Sequence, residues 1–269
     1  PYIIATPIGN LGDISARALD YLRQVDLILA EDTRITSRLL RHYGINTSMR
    51  RYDDHVAAKL RPEILDLLKS QSIALVSDAG TPLISDPGFK LVEEAQAQDL
   101  NVTTVPGPCA LIAALSISGL PSDQFFFAGF SPPKSAARCR ILNDYAAIPA
   151  TLIFYESPKR LEAFLSDIAK IYGSREVAVV RELTKIHEEV LRGSAEHILE
   201  RFADRSVKGE IVVLIHPPTK SAHKIDVDAL LKSALETKSL KEAVASVTAE
   251  SGLPRKQIYA RALELNKSE

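Results

Sequence analysis

The residues best placed to do chemistry gather in three short segments, each closing an apolar run and opening an amphipathic one. The first is Thr6-Pro7-Ile8-Gly9-Asn10-Leu11-Gly12-Asp13. The second runs Ser77-Asp78-Ala79-Gly80-Thr81-Pro82-Leu83-Ile84-Ser85-Asp86-Pro87-Gly88, far richer in Gly, Pro and Asp than a plain connector needs. The third is Val105-Pro106-Gly107-Pro108-Cys109-Ala110, which leads into a helix whose first turns are small residues. Glycine allows tight turns and close backbone approach to a ligand, and ligands of open α/β sheets sit beyond the carboxyl ends of the strands. There is no GxGxxG and no Walker lysine, which disfavours dinucleotide and P-loop chemistry. Three such bends at successive strand ends predict one cleft floored by backbone N–H and C=O groups, suited to an uncharged adenine and a zwitterionic amino-acid tail.

Acids also cluster at strand ends: Asp13, Asp32, Glu156 and Glu182, with Lys185 nearby. His187-Glu188-Glu189 and Asp53-Asp54-His55 lack HExxH spacing and a helical partner, so they read as solvated charge, and no metal is expected. Between Thr33 and Tyr52 stand Arg34, Arg38, Arg41, Arg50 and Arg51 and no acid. Arg34, Arg38 and Arg41 fall at i, i+4 and i+7, one face of a helix, which makes a candidate phosphate-binding stripe. A second acid-free basic segment holds Lys134, Arg138 and Arg140, and Tyr43, Tyr52 and Phe130 lie close enough in sequence to stack on unpaired bases.

The elements that must position these groups follow from periodicity. Tyr2–Ala5, Leu27–Ala30, Ile73–Val76 and Val102–Val105 read as strands; Ile14–Val25, Phe89–Gln98 and Ala110–Ser118 read as helices, with Ile14, Ala18, Leu22 and Val25 on one face. After Gly119-Leu120-Pro121 comes an aromatic strand, Phe125–Phe130, broken by Ser131-Pro132-Pro133-Lys134. Strands at Thr151–Tyr155, Val177–Arg181 and Ile211–Ile215 and helices at Arg160–Tyr172 and Ala195–Arg205 complete the second half. A linker at His216-Pro217-Pro218-Thr219-Lys220-Ser221 precedes three helices, Val227–Leu235, Leu240–Ser251 and Arg255–Leu265. The Ser251-Gly252-Leu253-Pro254 turn has the form of a helix-turn-helix connection. Alternation of strands and helices implies an α/β layer architecture, here with domains at 1–119, 120–218 and a small helical 222–269.

With 269 residues, 46% hydrophobic and 25% charged, the chain has ordinary globular composition. Charged residues punctuate every apolar run before it reaches the roughly 18 residues a membrane helix needs. The chain opens directly on an apolar strand with no basic n-region, and its cysteines, Cys109 and Cys139, suit neither a zinc site nor a disulfide framework, so a reducing cytoplasm is expected. A net charge of −1 makes any nucleic-acid contact a local matter of patches.

The runs Ala5–Asp13, Ala30-Glu31-Asp32-Thr33-Arg34, Val76–Ile84, Pro106–Ala110, Phe154-Tyr155-Glu156-Ser157 and Arg181-Glu182-Leu183-Thr184-Lys185 together resemble the small-subunit ribosomal RNA 2′-O-methyltransferases of the tetrapyrrole-methylase-like superfamily. The resemblance covers almost the whole chain, and the wider superfamily shares only the glycine loops. It implies an α/β, two-domain tetrapyrrole-methylase-like fold (class III S-adenosylmethionine methyltransferase) with a small C-terminal helical domain. It implies a homodimer, and 2′-O-methylation of a cytidine in the decoding region of 16S rRNA in the small ribosomal subunit. S-adenosylmethionine contacts carry over to Pro7, Thr81, Ile84, Cys109, Ala110, Tyr155, Leu183 and Ile211. Where the superfamily has Gly-Asp-Pro this chain has Gly80-Thr81-Pro82, which removes a side-chain carboxylate from that position.

Methyl transfer to a ribose hydroxyl needs a proton acceptor, and the expected candidates are Glu156 and Lys185, with Asp13 behind them; RNA contacts are expected at Arg34, Arg38, Arg41, Lys134 and Arg138. Two alternatives remain open from sequence: methylation of a corrin or porphyrin precursor, and a non-catalytic, ligand-responsive nucleic-acid-binding protein.

Overall fold

The computed structural model describes residues 1–203, 207–218, 227–235, 238–251 and 254–265. The chain divides into two compact units, 1–217 and 218–269. The first holds two sheets. Sheet one contains β1 (Tyr2–Ile4), β2 (Leu27–Ala30), β3 (Met49–Arg51), β4 (Ile73–Val76) and β5 (Thr103–Val105) in the order β3-β2-β4-β1-β5, every neighbouring pair parallel. The three inner strands β2, β4 and β1 are largely buried and read as continuous apolar runs, whereas the edge strands β3 and β5 do not. The helices α1 (Ala16–Gln24), α2 (Thr33–His42), α3 (Asp54–Leu67) and α4 (Phe89–Ala97) make the crossovers. Ile14, Ala18, Leu22 and Val25 are all buried, although the helix itself starts later, where the Ser15 hydroxyl caps the Ala18 N–H at 3.1 Å.

Sheet two contains β6 (Phe125–Phe130), β7 (Thr151–Glu156), β8 (Val177–Arg181), β9 (Glu189–Gly193) and β10 (Ile211–Ile215) in the order β6-β7-β10-β8-β9. Only the β6–β7 pair is parallel. The helices α6 (Ser135–Tyr145), α7 (Pro158–Tyr172) and α8 (Ala195–Phe202) cover one face. The other face receives α5 (Ala110–Ser118): Leu111, Ala114 and Leu115 pack on Ile153, Ala178, Val180, Val212 and Leu214. The helix that follows the last strand of sheet one therefore docks on sheet two and joins the two layers.

Four elements escape the periodicity. α3 carries Pro62 in its interior, β3 is three residues long, α6 buries Arg138 where an apolar residue is usual, and β9 is an edge strand of mixed polar and apolar residues. In the second unit α9 (Val227–Leu235), α10 (Leu240–Ser251) and α11 (Arg255–Leu265) enclose Leu231, Val244, Val247, Ile258 and Ala262. Gly252 and Leu253 of the expected turn, residues 219–221 of the expected linker and residues 204–205 of the expected helix lie outside the described residues. Among the described residues no helix is long and apolar enough to cross a membrane.

The first loop meets the loop that follows β8 at Gly9. A Cβ there would stand 2.5 Å from Lys185 Cγ and 2.9 Å from the Leu183 carbonyl oxygen, a distance that backbone cannot relieve cheaply. Overpacking of this kind costs roughly 1–3 kcal/mol. Gly9→Ala is expected to lower the unfolding free energy by that amount, read as a lower urea midpoint at unchanged slope; an unaltered midpoint would mean the two loops do not press together.

Candidate active site

The loops that close β1, β4 and β5 are sewn to one another. Thr6 and Gly80 exchange backbone hydrogen bonds at 2.8 and 3.0 Å, joining the first loop to the second. The Thr6 hydroxyl donates to the Ser77 carbonyl at 3.2 Å, and the Thr81 hydroxyl donates to the Pro108 carbonyl at 3.1 Å, joining the second loop to the third. The Leu111 N–H, in the first turn of α5, donates to Tyr155 Oη at 3.2 Å and so ties the third loop to sheet two. Leu83 and Ser85 hold φ at 75° and 68°, a region that side chains other than glycine enter at a cost and that clusters at functional sites.

These ties enclose a cleft of about 400 Å³, within the range of small-molecule sites. Ile8, Ala79–Thr81, Ile84–Asp86, Cys109 and Ala110 line it from the loops of sheet one, and Glu31 from the end of β2. Phe130, Tyr155–Pro158, Leu183 and Gly209–Val212 line it from sheet two. Thr81, Ile84, Cys109, Ala110, Tyr155, Leu183, Ile211 and Glu156 thus stand around a single cavity. Pro7 does not; its neighbour Ile8 takes the place on the wall.

Three cleft carboxylates escape the sequence reading: Glu31, Asp78 and Asp86. Burial pushes the Glu31 carboxyl up against the opposing pull of the Asp78 N–H, and the charges of Asp86, Asp78 and Asp54 add to the rise. Asp86 is raised by burial, with the Ser77 hydroxyl opposing and Asp78 and Asp54 adding. Asp78 is raised by burial although the Asp32 N–H donates to it at 3.0 Å. The signal for Glu31 and Asp78 was an acid just after β2 or β4, the same strand-end position that marked Asp32; Asp86 lies farther along the second loop, where no strand end marks it. Burial likewise holds the Tyr155 phenol well above its ordinary value, so it stays protonated.

The expected proton acceptors fare differently. Glu156 lines the cleft, but its buried carboxylate accepts from the Ser131 hydroxyl and from the Ser157 N–H at 2.8 Å, and pairs with Arg160 at 3.1 Å. Lys185, the other expected acceptor, is paired with two carboxylates. Burial pulls its pKa down, but contacts with Glu182 at 2.8 Å and Glu210 at 2.9 Å outweigh that and keep it above its ordinary value, hence protonated. Asp13 ends an exposed turn away from the cleft. Asp32 is held far below the carboxylate range by hydrogen bonds from the Arg34 side chain and N–H.

Of the basic residues, Arg38, Arg41 and Lys134 are exposed, and Arg34 is exposed but folded onto Asp32. Arg138, by contrast, lies inside the fold. It is 4% exposed, pairs with Asp167 at 2.7 Å and donates to the Pro132 and Pro133 carbonyls, so its charge is spent inside the fold. Tyr52 is buried and offers no stacking surface, whereas Phe130 is 57% exposed. Among the described residues no group of three or more His, Cys, Asp or Glu side chains is disposed to hold a metal ion.

A family profile described as tetrapyrrole (corrin/porphyrin) methylases matches residues 2–199, and one described as the RsmI C-terminal HTH domain matches residues 221–266. The chain belongs to the tetrapyrrole methylase family. It is 50% identical over 265 residues to the ribosomal RNA small subunit methyltransferase I of Erythrobacter litoralis (strain HTCC2594), spanning 98% of this chain and 94% of that one. It is 48% identical to the protein of the same name from Xylella fastidiosa (strain Temecula1 / ATCC 700964), over 96% of this chain and 97% of the relative. A crystal structure of diphthine synthase superposes with a TM-score of 0.62 at 13% identity, over 80% of this chain and 88% of the other, a likeness of fold.

As a tetrapyrrole methylase the chain is an S-adenosylmethionine-dependent methyltransferase. Its cleft fits that group: small side chains at Ala79, Gly80 and Ala110 leave room for a nucleoside, and the carboxylates of Glu31, Asp78 and Asp86 favour a cationic sulfonium.

Truncating one partner of a buried ion pair costs about 3–5 kcal/mol. Arg138→Ala is therefore expected to lose that much stability in chemical denaturation while the folded fraction keeps its RNA affinity; stable protein with weakened RNA binding would restore Arg138 as a phosphate contact.

Proposed function

We propose that this protein methylates the ribose 2′-hydroxyl of a cytidine in the decoding region of 16S rRNA, acting on the small ribosomal subunit in the cytoplasm as a homodimer. The observation that carries the proposal is the convergence of the three strand-end loops on a cleft lined by small side chains and by the carboxylates of Glu31, Asp78 and Asp86. Relatives named for ribosomal RNA methylation at 48 and 50% identity support the substrate class. In this reading 1–119 and 120–218 are the two lobes around the donor, and 222–269 is an appendage for the RNA-bearing particle.

S-adenosylmethionine, when bound, supplies an electrophilic methyl group on a sulfonium. Thr81, Ile84, Cys109 and Ala110 from one lobe and Tyr155, Leu183 and Ile211 from the other would hold it, with Pro7 fixing the loop behind Ile8. The chain's own contribution is to hold the ribose oxygen in line and keep water out, an effect worth roughly 7–11 kcal/mol in well-oriented systems. Glu31, Asp78 and Asp86 are the groups proposed to receive the hydroxyl proton, because they face the cleft and are not committed to an arginine as Asp32 is. The Glu156–Arg160 pair shapes the wall beside them. Arg38, Arg41 and Lys134, with Arg34 if it leaves Asp32, would touch phosphates and set register on the RNA.

Labelled S-adenosylmethionine incubated with small subunits lacking the methyl, with naked rRNA and with tetrapyrrole precursors tests the proposal. Label is expected in a 2′-O-methylcytidine of the rRNA; label only in a tetrapyrrole, or none, contradicts it.

The base must be ionised to work, and burial raises all three carboxyls. The kcat/KM of the wild type is thus expected to rise with pH through a midpoint above the ordinary carboxylate value of about 4. Of Glu31→Gln, Asp78→Asn and Asp86→Asn, at least one should lower kcat by roughly 10²–10⁴-fold with donor affinity preserved. Three mildly affected variants would remove the carboxylates from the mechanism.

A further inference from the structure

The strand β6 changes face just before it reaches the cleft. Its register on β7 runs Phe125 to Thr151, Phe126 to Leu152 and Phe127 to Ile153, then jumps to Phe130 opposite Tyr155, so that one extra residue is inserted. Strict alternation would put Phe130 on the face of Phe126 and Ala128, which pack into the core under α6 and α7. The bulge moves it to the face of Phe127, toward α5 and the cleft. Gly129 makes this possible at φ 69°, a conformation that side chains resist. The Phe130 ring then stands 5.6 Å from that of Tyr155 at an interplanar angle of 65°, beside the Phe127–Tyr155 pair at 4.9 Å.

A bulge and a positive-φ glycine thus take an aromatic side chain out of the core and set it, 57% exposed, on the cleft rim. Phe89 is as exposed at 59% but lies away from the cleft, where a lone apolar side chain needs no explanation. The platform is fixed, since Tyr155 is anchored by the Leu111 N–H. Across the rim lies the second loop: a Cβ on Gly129 would be 3.8 Å from Ser85 Oγ, next to Ile84 and Asp86.

We propose that Phe130 stacks on the base of the acceptor nucleotide, which enters the cleft turned out of its RNA strand with its ribose toward the carboxylates. The inference rests on the RNA-methylation reading of the cleft and adds how the nucleotide is held. An exposed rim suits a ligand that arrives from outside with each turnover, whereas a platform for the donor's adenine would lie within the enclosure. Turning out an unpaired nucleotide costs little, and stacking on an aromatic ring offsets it.

The test measures donor affinity by calorimetry and steady-state methylation of small subunits lacking the methyl, for wild type, Phe130→Leu and Phe130→Tyr, with thermal melting to confirm folding. Phe130→Leu is expected to raise KM for the subunits about 5–150-fold, the equivalent of ~1–3 kcal/mol, with donor affinity and melting unchanged. Phe130→Tyr, which keeps the ring, should restore a KM near wild type. An active wild type with an unchanged KM in Phe130→Leu overturns the proposal, as does a loss of donor affinity in Phe130→Leu, which would give the ring to the donor. A wild type that binds the donor but methylates no RNA sinks the reading of the cleft itself, and the proposal with it.

Discussion

The two-way backbone pairing of Thr6 with Gly80 is the constraint on which the rest depends. Parallel strands end with unsatisfied carbonyl and amide groups, and buried backbone groups must find partners. Here the loops leaving β1 and β4, adjacent in the sheet, satisfy one another. Thr81 passes the tie on to the third loop through Pro108, and Leu111 passes it to Tyr155 on the second sheet. Three bends distant in sequence become one wall, so a change at any of them moves the others.

The second organising fact is how charge is divided at that wall. Carboxylates meant for structure are paired: Asp32 with Arg34, Glu156 with Arg160, Asp167 with Arg138 and Glu182 with Lys185. Glu31, Asp78 and Asp86 are left facing the cleft, and burial raises all three, with neighbouring carboxylates adding to it: Asp86, Asp78 and Asp54 at Glu31, Asp78 and Asp54 at Asp86, and Asp32 at Asp78. Shifted pKa values of this origin collect where a protein handles protons or binds cations. A methyl-donating sulfonium and a hydroxyl that must lose its proton ask for both.

Much of this was legible in the sequence because it rests on local patterns. Ile73–Val76 and Ile211–Ile215 are apolar throughout and could only be buried strands, and the Gly-Pro-Asp density of 77–88 marked a loop with work beyond connection. What stayed hidden depended on partners far along the chain. Lys185 looks like a free amine until Glu210, 25 residues on, closes over it, and Arg138 looks like a phosphate contact until Asp167, 29 residues on, buries it. Glu31 and Asp78 look like solvated acids because nothing near them in sequence reports that their strands lie side by side. The turn of Phe130 into the cleft needs one inserted residue, of which Gly129 is the only local trace.

The central claim, that the sewn loops and sheet two enclose the donor site, is tested most directly by calorimetric titration of S-adenosylmethionine into the wild type and into Ala110→Phe, a substitution that fills the cleft where the third loop meets α5. The expected result is saturable binding to a single site in the wild type and loss of that binding in a variant that still melts cooperatively. No heat with the wild type, or equal affinity in the filled variant, would contradict it.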